Sequence, residues 1–464
     1  MHMQLGARAA IAMGKTIGAS SRLLDVGGGS TLPGRFARRV YHQFVPSMVR
    51  ELPDGCALIT GTNGKTTTAT LLASMLDQAG ITPVHNWTGA NLMAGIASAL
   101  IRESDLSGKL AARIGLFEVD EAALPAAIED TSPRLVLVNN LFRDQLDRYG
   151  ELDTLASRMK KAIANLDPKA VVALNADDPL VASIGIGLKQ NIVSYGIDSD
   201  RYASSTMQHA ADSKHCPYCG SPLEYKYYLF GHMGRYRCSE CRRMRPQPQV
   251  AATDLEMVGM EGTRCTLSYP GGAKTVFIPL PGLYNVYNIL AATTAGLALG
   301  VAPGTIFKAI EDFNAAFGRV ERVEVKDHNI LMILAKNPAG LNEVIRTLNI
   351  QPGRKDVLLA LNDNIADGRD VSWIWDVDFD MLRDRLGKVV CSGIRAADMA
   401  LRVKYAELGE ESLAVEPDLE AALDAALETV VPGGTLYIVP TYTAMLELRR
   451  ILVKRGLVTP FWEE

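Results

Sequence analysis

Long apolar runs are missing from this 464-residue chain. No stretch approaches a membrane span, and the amino-terminal stretch has neither the apolar core nor the cleavage site of a signal peptide. A cytosolic location is therefore expected. A strong excess of one charge is missing too. The formal net charge is −4, too mild for the whole chain to bind nucleic acid by charge, and helicase-type motifs are absent. Cysteine is scarce, seven in all, and four of the seven sit in two CxxC pairs. The others, Cys56, Cys265 and Cys391, lie in apolar strand-like runs with no histidine nearby in sequence. Thiols in such places are structural more often than nucleophilic. No Cys–His pair for glutamine hydrolysis is recognisable.

What is present begins with GTNGKTTTATLL, residues 61–72. The common phosphate-binding loop has four residues between its first glycine and Gly-Lys-Thr. Here only Thr62 and Asn63 separate Gly61 from Gly64, and Ile59 stands where the longer motif has its glycine. The context is nonetheless that of a phosphate site. CALIT (56–60) reads as a buried parallel strand, and residues 66–80 read as a helix closed by a glycine. A strand, tight turn and helix aim backbone N–H groups and the positive helix end at one spot. Lys65, expected to be exposed, adds a point charge, and the Thr66 hydroxyl is placed to reach Mg²⁺. The plainer reading is a glycine turn before a helix.

A chain this long implies two or three domains. After the loop, IGLFE (114–118), RLVLVNN (134–140) and AVVALNADDP (170–179) are strand-like, with helical stretches between. Such alternation implies α/β architecture with a parallel sheet and sites at strand C-termini. Glu118 is then placed to bind Mg²⁺; otherwise it is a solvated carboxylate at a strand end. The first fifty residues are basic, with Arg8, Lys15, Arg22, Arg35, Arg38, Arg39 and Arg50 against Asp25. Arg8, Lys15 and Arg22 share one helical face. A helix packed on the core with a solvated basic edge is expected; contact with an anionic surface or a lipid-linked substrate is the sharper alternative.

Residues 203–248 interrupt the α/β pattern. Cys216 and Cys219 are followed, after eighteen residues, by Cys238 and Cys241. Two CxxC knuckles at this spacing predict a four-thiolate Zn²⁺ ribbon, structural because no coordination position is left open. The sheet pattern resumes at 275–300, with a strand ending at Pro281-Gly282 and a helix from about Asn285 on which Asn285 and Asn288 share a face. FGRVERVEV (317–325) reads as a linker into a last α/β domain with strands near 329–335, 356–363, 388–393 and 435–443. Within it, NDNIADGRD (362–370) reads as a polar loop at a strand end, whose plain role is turn chemistry.

GTNGKTTT, the strand ending at Glu118, NADDP, GLYNVYN and GRVE, in this order, together resemble the Mur ligase family. The Cys ribbon and LNDNIADGRDVSWIWDVDF (361–379) resemble its amide-forming synthetase subunits. The shortened loop is that family's form. The resemblance implies a basic segment 1–50 and a central P-loop ATPase domain 51–317 with the ribbon inserted at 203–248. A Rossmann-like domain follows at 318–464. The family's UDP-substrate domain has no room in the residues before the loop. Gly61, Thr62, Asn63, Gly64, Lys65, Thr66 and Thr67 would hold the ATP phosphates, Thr66 and Glu118 the Mg²⁺. Asn288 would contact the adenine side and Arg319 the phosphates. The family's DHLDR is DQLDR here (144–148), so Gln145 replaces a metal-ligating histidine. The carbamylated lysine has no clear counterpart beyond Lys160 and Lys161.

The activity implied is ATP-dependent amidation of the D-glutamate α-carboxyl of a lipid II stem peptide through an acyl phosphate. The ammonia would come from a class I glutamine amidotransferase subunit (GatD-like) in a heterodimer. Asp370 would orient that partner's catalytic histidine, with Asp363 and Asp367 as competitors. Lipid II would be met at the inner membrane face, and nucleic acid is not an expected partner. Two other readings share these residues: an amino-acid ligase of the Mur or folylpolyglutamate type acting alone, and a nucleic-acid-stimulated ATPase using the ribbon.

Overall fold

A computed structural model of the chain describes residues 5–23, 31–86, 90–143, 152–207, 212–313, 320–325, 327–407 and 412–459. Two large sheets organise them, of nine and six strands. The first contains β1 (Cys56–Thr60), β2 (Pro83–His85), β3 (Ile114–Glu118), β4 (Leu135–Val138), β5 (Val171–Asn175) and β6 (Asn191–Ile197). The chain then leaves the sheet for a hairpin, β7 (Leu223–Phe230) and β8 (Met233–Cys238), and returns in β9 (Val250–Val258), β10 (Gly262–Tyr269) and β11 (Gly272–Ile278). The strand order is β11-β10-β9-β6-β5-β4-β1-β3-β2. From β6 through to β2 all neighbours are parallel, and β6 also pairs parallel with β9; only β9, β10 and β11 pair antiparallel among themselves.

The apolar runs form buried strands because both faces of this sheet are covered. Successive β1 side chains show it. Ala57 and Ile59 join one core layer, Cys56 and Leu58 the other. The first layer holds α4 (Lys65–Gln78), with α9 (Leu283–Ala298) and α10 (Pro303–Glu311) beside it. The opposite layer holds α1 (Leu5–Leu23), α2 (Leu32–Val40), α3 (Phe44–Val49), α5 (Met93–Glu103), α6 (Leu124–Thr131) and α7 (Leu152–Ile163). A short α8 (Pro179–Ile184) follows β5. The expected packing of the first helix is met: Ala7, Ala10 and Ile11 are fully buried.

The second sheet has the order β12-β13-β17-β14-β15-β16, with β12 (Val320–Val325), β13 (His328–Ile333), β14 (Lys355–Ala360), β15 (Leu386–Ser392), β16 (Leu413–Val415) and β17 (Thr435–Pro440). β12 pairs antiparallel with β13 along its whole length. This corrects the linker reading of 317–325: the alternating VERVEV segment is an edge strand, because Val323 turns into the core, Glu321 on the same face pairs with Arg449 at 3.1 Å, and Glu324 turns to solvent. α11 (Pro338–Ile350) follows β13. Residues 314–319 lie outside the described residues.

Candidate active site

In the nine-stranded sheet β1 lies between β3 and β4, so the chain leaves β1 with neighbours reached by crossovers in opposite directions. That is the place where parallel sheets open a crevice for ligands. The loop 61–64 sits there. Gly64 has φ 84° and caps α4 with no side-chain cap, so first-turn N–H groups stay available to an anion. Only glycine fits here: a Cβ on Gly64 would lie 1.9 Å from Asn288 Oδ1. Asn288 in turn donates to Asn285 Oδ1 at 3.1 Å, and Asn285 donates to the Pro281 carbonyl at 2.8 Å. The shared amide face of α9 therefore backs the loop.

Two amides that sequence reasoning does not single out hold the loop from β4. The Asn63 N–H donates to Asn140 Oδ1 at 2.8 Å, and Asn140 Nδ2 returns a bond to the Asn63 carbonyl at 3.1 Å. Asn139 Nδ2 donates to Thr68 Oγ1 at 3.1 Å. Their signal was the pair of amides ending LVLVNN. Thr62 is bonded to both the amide and the carbonyl of Phe142, and Thr67 is buried in the first turn of α4.

Lys65 is not exposed, contrary to expectation. It is 9% exposed, donates to the Gly61 and Thr62 carbonyls, and lies 3.4 Å from Glu121 Oε2. The physical reason is a neighbouring charge that spacing alone does not reveal. Glu121 is buried, which would raise its pKa, but Lys65, then a bond to its own backbone N–H, then Lys336 hold the carboxyl below its ordinary value. Lys336 comes from the end of β13, and Asn337 beside it donates to Asn63 Oδ1 at 3.0 Å. The second sheet thus reaches the loop through two adjacent residues.

Thr66 Oγ1 donates to Glu118 Oε2 at 2.9 Å. Asn86 braces Glu118 from both sides, accepting from its N–H at 2.8 Å and donating to its carbonyl at 2.9 Å. His85 Nε2 stands 3.5 Å from Glu118 Oε1, and neither atom has a hydrogen-bond partner among the described residues. Nothing local in the sequence points to His85; β2 delivers it from a different segment.

The four ribbon cysteines converge. Their Sγ atoms all lie within 4.8 Å of one another, with Cys216–Cys241 at 3.6 Å and Cys219–Cys238 at 3.4 Å. A disulfide needs about 2.05 Å, so these are free thiols in a set that could hold a metal ion. The ribbon is docked through NADDP. Asp177 accepts from Arg245, from Tyr287 Oη at 2.7 Å and from the Ile197 N–H at 2.8 Å. Asp178 caps α8 and lies 3.3 Å from His232, both fully buried.

In the second sheet's polar loop the three acids differ. Asp363 is paired with Arg395 at 2.7 Å. Asp367 is buried and accepts from the Thr443 N–H and hydroxyl at 2.8 and 2.6 Å. Asp370 is exposed, accepts from the Ser372 N–H at 2.8 Å, and is held below the usual carboxylate range by bonds to Ser372.

Residues 59–236 match the Mur ligase middle domain, and residues 334–445 match the MurT ligase C-terminal domain. Over 420 residues the chain is 34% identical to the lipid II isoglutaminyl synthase (glutamine-hydrolyzing) subunit MurT of Staphylococcus aureus (strain COL), covering 90% of this chain and 91% of that one. The chain belongs to the MurT branch of the Mur ligase family. The MurT of Streptococcus pneumoniae (strain ATCC BAA-255 / R6) is 32% identical over 449 residues, covering 96% of this chain and 98% of its own. Among solved structures, a pseudomurein peptide ligase type C from Methanothermus fervidus superposes with a TM-score of 0.68 at 23% identity, over 87% of this chain and 79% of that one. The MurF ligase of Thermotoga maritima, solved with ADP, gives 0.63 at 13% identity, over 90% and 85%. These two establish the Mur ligase fold.

Two expectations drawn from Mur ligases, Arg319 and the DQLDR segment with Gln145, lie outside the described residues. The lysines expected nearest the family's modified lysine are on α7. Lys160 Nζ reaches the Ser183 carbonyl at 3.5 Å, and Lys161 is exposed. No helix among the described residues is long and apolar enough to cross a membrane.

Proposed function

We propose that this MurT-family chain is the synthetase subunit of a two-subunit ligase. It amidates the D-glutamate α-carboxyl of the lipid II stem peptide to D-isoglutamine, at the expense of ATP. The observation that carries the proposal is the Thr66–Glu118 pair beside the Gly61–Thr67 loop, in a chain similar along nearly its whole length to named MurT subunits. Gly61, Thr62, Asn63, Gly64, Lys65, Thr66 and Thr67 bind the triphosphate. Asn288 and Arg319 complete the nucleotide site. Glu118 and Thr66 hold Mg²⁺: Glu118 Oε1 is buried without a hydrogen-bond partner, which suits a hard cation. The cation, when bound, neutralises charge on the transferring phosphoryl group.

A carboxylate does not react with ammonia, because its leaving group would be oxide. The acceptor carboxylate oxygen attacks the γ-phosphorus and ADP leaves. Ammonia then attacks the acyl carbon of the acyl phosphate, and phosphate leaves. The chain's own task is positioning and charge neutralisation. Lys65 and Lys336 supply positive charge, and Asn63, Asn139 and Asn140 fix the loop.

Ammonia is supplied by a glutaminase subunit of the class I amidotransferase type. The three free cysteines outside the ribbon are buried, and burial pushes each thiol up to about 12, which unfits them as nucleophiles. Asp370 is the acid that serves the partner's histidine, because it is exposed with only a local bond to Ser372, while Asp363 pairs with Arg395 and Asp367 is buried against Thr443. The ribbon holds one structural Zn²⁺. Zn–S bonds of about 2.3 Å in a tetrahedron put sulfurs about 3.8 Å apart, close to the 3.4 and 3.6 Å found. The test compares Asp370→Asn with wild type in the reconstituted complex, using glutamine and then ammonium as donor. Asp370→Asn is expected to lose the glutamine-dependent reaction and keep most of the ammonium-dependent one. Equal loss with both donors would move Asp370 into the synthetase site; no loss would leave it turn chemistry.

A further inference from the structure

We propose that the outer face of α2, with the adjoining end of α1, is a docking surface for an anionic phospholipid bilayer. α2 buries Pro33, Gly34 and Ala37. Gly34 packs so tightly on α5 that a Cβ would lie 1.9 Å from the Ala94 carbonyl. The opposite arc carries Arg35, Phe36, Arg39 and Val40, all exposed, Phe36 by 45% and Val40 by 52%. At helical spacing the two arginines form one edge and the two apolar side chains the next. Arg38, on the inner flank, pairs with Asp130 at 3.9 Å. No acidic side chain among the described residues pairs with Arg35 or Arg39. Gly6 abuts the Tyr41 ring, which brings the first turns of α1, with exposed Arg8, to the same end of α2.

Charge decides the occupant. A protein partner covering Phe36 and Val40 would have to neutralise a run of unpaired guanidinium groups around a small apolar contact. A bilayer takes both features at once, with apolar side chains at the acyl boundary and guanidinium groups on lipid phosphates. The position also fits. Ala94 lies in the first turn of α5, just after the segment in which Asn86 braces Glu118 and the Asn91 carbonyl accepts from the Asp120 N–H. The helix beneath the docking face is therefore joined, through that segment, to the C-terminal end of the strand that carries Glu118. The inference rests on the preceding reading only for its purpose, since a lipid-linked acceptor must be met at a bilayer.

The test needs no turnover. The full-length chain is sedimented with vesicles of phosphatidylglycerol and phosphatidylcholine, and with phosphatidylcholine alone, at low and raised salt. Expected is pelleting with the anionic vesicles that weakens with salt. Arg35→Glu/Arg39→Glu and Phe36→Asp/Val40→Asp should each partition at least about tenfold less well, with circular dichroism and thermal midpoint unchanged. No preference of the wild type for anionic vesicles, or pelleting of both variants at the wild-type level, overturns the proposal. A wild-type dimer that Phe36→Asp/Val40→Asp dissociates would assign the face to a second copy and also overturn it. Intact vesicle binding alongside a failed donor comparison would refute the preceding section and leave this one standing.

Discussion

Lys65→Ala should cost stability as well as activity, and the loss of stability should depend on pH. The side chain is buried against Glu121 at 3.4 Å. Removing one partner of a buried ion pair costs about 3–5 kcal/mol, because the other charge is left without compensation. Lys336 still faces Glu121, so the expected loss is smaller, about 1–3 kcal/mol. In the wild type the Glu121 carboxyl is held below its ordinary pKa. That contribution to stability is present above the unfolded carboxylate pKa and fades as pH falls through the folded value. Without Lys65, burial dominates and raises the folded pKa, so the variant is penalised most at neutral pH. Denaturant unfolding should therefore show a wide gap between wild type and variant near about pH 7.5 and a narrower one near about pH 5. Adding Glu121→Gln to Lys65→Ala should restore most of the stability, since the orphaned charge is gone. It should not restore ligase activity, which is expected to fall by about 10²–10³-fold for a lost phosphate-facing charge. Equal wild-type and Lys65→Ala midpoints at both pH values would refute the reasoning. So would a double variant no more stable than the single one.

Elemental measurement on freshly purified, unchelated protein should find one zinc per chain; Cys238→Ser should lose it and with it on the order of 4 kcal/mol or more of stability, as metal loss does. Protein without zinc but of wild-type stability would sink the ribbon assignment. Cys56, Cys265 and Cys391, with thiols pushed up to about 12 by burial, should resist iodoacetamide in the folded protein near about pH 8 and react in denaturant. Mass spectrometry showing rapid native labelling of any of the three would reopen the search for a nucleophile in this chain.

The features legible in the sequence are those whose partners lie a few residues apart. The loop Gly61–Thr67 needs only its strand, its glycines and the helix that follows, and CALIT and KTTTATLL are apolar and helical enough to form both. The CxxC pairs announce a thiolate cluster because knuckle spacing is local. Strand C-termini near Glu118 and Asn139 were readable from buried runs that end in polar residues. VERVEV reads as a linker because its edge-strand pairing with β13 is not written in its own residues. Lys65 was expected in solvent, because nothing near it in sequence announces the Glu121 carboxylate 56 residues away. The tertiary structure alone paired Asp363 with Arg395 and buried Asp367 against Thr443, while Asp370 stays exposed on a local turn to Ser372. It brought His85 to Glu118, and it brought Asn337 to Asn63 from 274 residues away. Spacing and periodicity act within a helical turn or a strand. Charge pairing, burial and the meeting of two sheets act through space, and only the folded chain sets those distances.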